Sequence, residues 1–362
     1  MAKIYNASLI GKRESVVDEI LLLNPHQTPL INALGFSTPV SQVEHVWFED
    51  EMIGDESTVS GAVTNAATSV VVADAEPFRS GHVVKVGDEL LKVTAVDTGT
   101  KTLTVSRGYA STTAAAITDG TKIEVLFVEG AEGADARASR FKQRVRKSNL
   151  TQIFDDTVEV SGTAKAVTQY GIENLYEYEK QKKLLELALQ LEKAVINGIS
   201  YESGQVRQMK GIRQWITTNV TNVNGGVTVG AINTLAQKIY DAGGFSTGGD
   251  YKIMVAAKQK IALSGTDANK VALTRGDNKR GQRVDYLVTD FGEFEVVLSQ
   301  NLASDELFLV DANRIAIKPL NTREFGHTYL GVKGDYDTGM VVGEYTLQFE
   351  QEKAHGRLKG LN

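Results

Sequence analysis

The stretch 171-GIENLYEYEKQKKLLELALQLEKAVING-198 has no proline and no glycine between its two terminal glycines. Leu175, Tyr178, Leu185, Ala188, Leu189, Val195, Ile196 and Ile199 recur at three- and four-residue steps, which a 3.6-residue turn gathers into one apolar stripe. Leu184, Leu187, Leu191 and Ala194 form a second row beside it, while Lys180, Gln181, Lys182 and Lys183 keep the first half polar. The spacing predicts one helix over 171–198, about 40 Å long, with its C-terminal half buried more deeply. Gly198, following Asn197, is expected to close it in a positive-φ cap. The heptad pattern is not sustained, so the helix reads as a structural spine and not as a coiled-coil or partner-binding helix.

Immediately upstream, SNLTQIFDDTVEVSGTAKAVTQYG carries Ile153, Phe154, Val158 and Val160, enough apolar surface to pack, and a Ser161-Gly162-Thr163 turn with N-cap residues. Before it, Arg140, Lys142, Arg144 and Arg146 alternate with Phe141, Gln143 and Val145, which predicts four cations on one face of a strand. The complementary segment comes much earlier: QVEHVWFEDEMI (42–53) is strand-like, with Glu44, Glu49, Asp50 and Glu51 followed by Asp55 and Glu56. Together, 42–57 and 128–150 read as a charged ribbon. It docks on an adjacent subunit, contacts nucleic acid, or is a solvated hairpin with its own cross-strand pairs. The expectation carried forward is that the charges bridge subunits.

Between the ribbon strands, Thr58–Phe127 is built of short β-branched runs such as TSVVVAD and TLTVS, with Gly87-Asp88 and Asp97-Thr98-Gly99-Thr100 supplying tight turns. It reads as an inserted antiparallel barrel or sandwich, residues 58–127, of marginal size for stability alone. Gly130–Arg137 reads as a flexible return.

Residues 1–41 read as an arm. Glu14, Val16, Val17, Ile20, Leu21 and Leu23 allow two helical turns, and Pro25, Pro29 and Pro39 interrupt the rest of the arm. So little apolar surface cannot form a core of its own, and Val17, Ile20, Leu21 and Leu30 are expected to pack on neighbouring subunits. After the spine come MKGIRQWITTNV, a helix near Ile232–Tyr240, the strand YKIMVAA, the short helix AKQKIAL, a polar loop TRGDNKRGQR, and the strands of VDYLVTDFGEFEVVLSQ, ELFLVDANRIAIKPL and GMVVGEYTLQFEQ. That order is α+β, with one or two mixed sheets over 150–362.

The composition, 42% hydrophobic and 23% charged, is that of a globular chain. Its 362 residues allow two or three structural units. A net charge of −6 provides no global basic field for nucleic acid. The absence of Cys excludes disulfides, thiol nucleophiles and cysteine metal sites and fits a reducing cytoplasm. No apolar run reaches the length of a membrane span, and the N-terminal residues lack a signal-peptide core.

No phosphate loop, HExxH pair, EF-hand run or GxSxG elbow is present. His26, His45, His82, His327 and His355 are scattered, GGFSTGGD (243–250) reads as a plain turn, and GDYDTGM (334–340) lacks calcium-loop spacing. No catalytic, cofactor-binding or metal residue is assigned, and no cofactor is expected.

Three separated segments resemble the major capsid proteins of tailed bacteriophages with the Hong Kong 97-type fold: KRESVVDEILLLNPHQTPLINALG, SNLTQIFDDTVEVSGTAKAV running into the spine, and GDYDTGMVVGEYTLQFEQEKAHGRLKGL. The resemblance implies an N-arm (1–41), an extended loop (42–57 and 128–150), a peripheral domain (151–225 and 300–362, with spine 171–198) and an axial domain (226–299). The insertion at 58–127 departs from the minimal fold. The implied function is a non-enzymatic structural subunit that self-assembles through hexameric and pentameric capsomers into the icosahedral head around double-stranded DNA. A separate scaffolding protein is implied by the short stretch ahead of the arm, together with a portal, a decoration protein and weak non-specific DNA contact, without a membrane. Such a subunit belongs to the virion and is assembled in the host bacterial cytoplasm. The rival readings are a bacterial nanocompartment shell of the same fold and a cytoplasmic α+β enzyme.

Overall fold

A computed structural model of the protein describes residues 28–130, 132–133, 140–167, 172–266, 286–332 and 334–362. The turns expected over 14–23, most of the 130–137 return, the first residue of the predicted spine at 171 and the polar loop 274–283 lie outside the described residues. The chain divides into two compact units, Met1–Trp47 with Lys147–Asn362, and Phe48–Arg146.

The larger unit holds two sheets. One is organised on a single long strand, Tyr336–Phe349, which pairs antiparallel with Gln152–Ser161 along one edge and with Gly326–Val332 and Ile315–Pro319 along the other. The spine helix, Leu175–Asn197, packs across this sheet. It starts where Asn174 accepts hydrogen bonds from the N–H groups of Tyr176 and Glu177, a side-chain N-cap that satisfies two otherwise orphaned donors.

The second sheet is mixed and six-stranded, in the order Val220–Gly225, Gly356–Leu361, Leu307–Asp311, Tyr251–Val255, Gly292–Leu298, Tyr286–Thr289. It shows why Leu307, Phe308, Leu309 and Val310 are all apolar: strand Leu307–Asp311 is buried at every position because both faces are covered. Leu307 and Leu309 join a core with Ile232, Leu235 and Ile239 of helix Val229–Asp241, while Phe308 and Val310 face the other core with Leu191, Trp215 and Phe349. Its strands come from inside and from both sides of the sequence interval 226–299, so the sheet is assembled from distant parts of the chain.

The spine's burial differs from the predicted stripe. Leu187 and Leu191 of the second row, with Val195 and Ile196 of the first, make the deep contacts. Leu185, Ala188 and Leu189 are half-buried, and Ile199 lies beyond the helix and is exposed. Gly198 does not take a positive φ: its φ is −54°. Glycine is required there by space, since a Cβ would lie 2.4 Å from the Ala194 carbonyl oxygen and 2.6 Å from that of Met209.

The smaller unit is an antiparallel sheet in the order Glu56–Thr58, Lys122–Val128, His82–Val86, Glu89–Asp97, Thr102–Ser106, Ser69–Val71. Its outer strands meet: Val59 bridges Val72, Ser60 donates to the Val71 carbonyl and Ala73 to that of Thr58. The sheet is therefore closed into a small barrel, which leaves no open edge there. Alternate residues Leu91 and Val93, Leu103 and Val105 fill its interior with Val59, Val84 and Ile123. Glu89 and Arg107, both with buried side chains, clamp it. The guanidinium donates from Nε and Nη2 to the two carboxylate oxygens at 2.8 Å each, and to the carbonyls of Thr64, Ala67 and Ala115. Burial raises the Glu89 pKa, but Arg107 and the Ala115 and Gly108 N–H groups outweigh it and hold the carboxyl below its usual range.

Candidate assembly surfaces

The described end of the arm docks on its own subunit. Pro29–Leu34 is a short helix with Pro29 in its first turn, and Leu30 and Ile31 are buried in the core that contains Leu187, Leu191 and Phe349. Burying two such side chains contributes about 1.5–3 kcal/mol each. This corrects the expectation that Leu30 packs on a neighbour; Val17, Ile20 and Leu21 lie outside the described residues. Gly35 has φ 67° and ψ −173°, a region open in practice only to glycine, and turns the chain into an extended run. Phe36 and Val40 then bridge Ile317 and Leu320 in parallel, with Ser37 donating to the Ile317 carbonyl at 2.9 Å and Val40 to that of Pro319 at 2.8 Å.

A buried carboxyl that the sequence reading passed over lies at this dock. Glu192, on the spine, is fully buried and accepts from the Ile31 N–H at 3.3 Å and from Asn301 Nδ2 at 3.2 Å. Among the described residues it has no ion-pair partner, and burial pushes its pKa up against the pull of these donors. The other buried acids of this unit differ: Glu344 lies between Arg207 and Arg323, Glu306 between Arg213 and Arg357, Asp311 pairs with Arg314 and Asp337 with Lys165. The sequence signal for it was positional. Glu192 is four residues from Ala188 and Ile196 and three from Leu189 and Val195, an acid set inside the apolar stripe.

The ribbon is shorter than predicted. Its ladder pairs Glu44–Glu49 with Val145–Leu150, so of the four alternating cations only Arg146 lies in a strand. The others lie outside any strand, and each takes a separate partner: Arg140 donates to the Pro77 carbonyl, Lys142 pairs with Glu51 at 2.9 Å and Arg144 with Asp50 at 3.1 Å. Two of the charges expected to bridge subunits thus engage acids of the same chain, in exposed pairs of the kind worth about 0–1 kcal/mol. Large apolar side chains are left uncovered in this region beside the charged ones: Phe48 is 69% exposed, Met52 92% and Phe141 86%.

His26 lies outside the described residues, and the other four histidines are dispersed in the fold. His45 bonds Gln348, His82 accepts from Arg79 Nε, and His327 bonds the Tyr176 hydroxyl at 2.8 Å. His355 is fully buried. Its Nδ1 accepts from the Asp311 N–H, so Nε2 carries the proton and donates to the Glu350 carbonyl, and burial drives its pKa down to about 3. Among the described residues no group of three or more His, Cys, Asp or Glu side chains could hold a metal, and no helix is long and apolar enough to cross a membrane.

A groove of about 510 Å³ runs between the start of the spine and strand Gln152–Ser161. Its lining includes Glu159, Ser161, Leu175, Glu179 and Tyr336, and the Ser161 hydroxyl oxygen accepts from the Ala164 N–H. Asp337, from the 334–340 segment, lies in a strand and is engaged by the Tyr329 hydroxyl and Lys165.

The model of the SU10 major capsid protein family matches residues 3–362. A major capsid protein of Escherichia phage Phieco32 is 28% identical over 224 residues, 61% of this chain and 58% of that protein, so the match spans less than two thirds of that relative. The capsid of cyanophage A-1(L) has a chain of similar fold at a TM-score of 0.56 and 12% identity, covering 98% of both chains. The capsid of a native GTA particle gives 0.54 and 9%, covering 99% of this chain and 98% of that one. The fold is therefore the α+β Hong Kong 97 type expected from the sequence.

Proposed function

Since the chain belongs to the SU10 major capsid protein family, we propose that it is the repeating subunit of a tailed-phage head, closing through five- and six-fold capsomers around double-stranded DNA. The observation that carries this reading is the extent of the family match, which takes in arm, ribbon, barrel and both sheets together. The uncovered Phe48, Met52 and Phe141 support it, since apolar side chains left in water by one subunit are suited to burial by the next.

Within such a shell, Phe48–Arg146 is the extended loop with the barrel at 58–127 inserted, the four-stranded sheet with the spine is the peripheral domain, and the six-stranded sheet with helix Val229–Asp241 is the axial domain. The role is structural and not enzymatic. A scaffolding protein, a portal and a decoration protein are its partners, with weak non-specific contact to packaged DNA, as a net charge of −6 requires. Assembly takes place in the host cytoplasm. The nanocompartment reading shares the fold, and the family matched favours the phage head.

Electron microscopy of the purified chain, alone and with a scaffolding partner, tests this reading. Closed particles with capsomers are expected, and discrete subunits in every condition would contradict it.

A further inference from the structure

We propose that Glu192 is a positioning residue for assembly, holding residues 28–41 on the spine helix and so setting where the N-terminal segment enters the subunit. The proposal rests on the capsid reading for its consequence, but its geometry belongs to the single chain. The carboxyl accepts from two other segments: from the Leu30 and Ile31 N–H groups of the arm, the latter to Oε2, and from Asn301 Nδ2 of the loop after strand Gly292–Leu298, to Oε1. Asn301 is held in turn, because Asn197 Nδ2, from the last residue of the spine, donates to its carbonyl at 3.0 Å. Arm, spine and loop thus meet at one side chain.

Two features indicate that this contact does more than fill space. Thr28, before the short arm helix, makes no side-chain cap, and Pro29 has no N–H, so the next donors need an acceptor from elsewhere. A serine or threonine cap would satisfy them locally without attaching the segment to anything; a carboxyl from the spine does both. Second, a fully buried acid with no ion-pair partner among the described residues is a poor choice for stability, and a leucine would pack at lower desolvation cost. What the acid provides is a defined position for Ile31, and through Gly35 for the extended run after it.

The test uses the full chain as unassembled subunit and then as shell, in wild type, Glu192→Leu and Glu192→Gln. Hydrogen exchange is read at the amides of Gly35, Ser37 and Val40, which bond the Ile31, Ile317 and Pro319 carbonyls and do not touch Glu192. Glu192→Leu is expected to speed their exchange by about tenfold or more, while strands Tyr251–Val255 and Leu307–Asp311 keep their protection. Glu192→Gln, which keeps an acceptor oxygen, is expected to fall between the two, and it serves alone if the leucine variant does not fold. Unchanged exchange at the three amides, or a uniform rise throughout the unit, would overturn the proposal. Glu192→Leu shells equal to wild type in yield and size would overturn its assembly consequence. A wild-type subunit that never assembles would refute the capsid reading and leave the exchange result standing.

Discussion

Gly211 donates its N–H to the carbonyl oxygen of Gly198 at 2.9 Å, joining the end of the spine helix to the start of helix Ile212–Trp215. The two main chains touch: a Cβ on Gly211 would lie 2.5 Å from the Gly198 nitrogen. Gly198→Ala is expected to force them apart and to cost about 1–3 kcal/mol, as overpacking does. Gly226→Ala, which meets open space, should leave the urea midpoint unchanged. Equal midpoints for the two variants would show that the contact is looser than described.

Arm truncations should separate at Leu30. Removing residues 1–27 leaves every described contact in place and gives the reference midpoint. Removing 1–36 takes Leu30 and Ile31 out of the core and strips the Ile31 donor from Glu192. Loss of one such aliphatic side chain costs about 2–5 kcal/mol, so a large fall in the thermal midpoint is expected. Identical midpoints for the two truncations would contradict the dock.

The barrel should depend on Glu89 and Arg107 as a pair. Arg107→Met leaves the carboxylate buried without its bidentate partner, a loss of about 3–5 kcal/mol. Adding Glu89→Leu should recover much of it, because the orphaned charge is then gone. Protection of the amides in strands Glu89–Asp97 and Thr102–Ser106 from hydrogen exchange measures both. A double variant no better than the single would mean that the loop carbonyls around Arg107, and not the ion pair, carry the stability.

How much of the fold was legible in the sequence varies by element. The spine and strand Leu307–Asp311 were readable because local pattern decides them: a breaker-free periodic run, and an apolar run too short for a helix of its own. The buried face of the spine was not, because two adjacent apolar rows offer one helix two faces, and only the sheet beneath selects Leu187 and Leu191. The strand predicted over 140–146 failed for a similar reason. Alternation describes a strand only if a partner backbone runs alongside, and Arg140 reaches the Pro77 carbonyl instead. Glu192 was visible as an oddity within a stripe, but its partners Ile31 and Asn301 lie 161 and 109 residues away, with Leu30 beside the first.

His355 predicts a pH dependence of stability. Unfolded, it titrates near the ordinary 6.5; folded, it stays neutral down to about 3. Above 6.5 both states are neutral and there is no penalty. As pH falls below that, the unfolded chain gains a proton that the native state cannot, and stability drops by about 1.4 kcal/mol per pH unit. Compared with His355→Gln, the wild type should lose about 1 kcal/mol more between about pH 6 and 5 in chemical denaturation. Parallel curves would mean that the imidazole is reached by solvent.

Self-assembly is tested most directly by sedimentation velocity of the purified full chain with electron microscopy of the same fractions, alone and with a scaffolding protein. Fast-sedimenting closed particles built of five- and six-fold capsomers are the predicted result. A strict monomer under every assembly condition would contradict it.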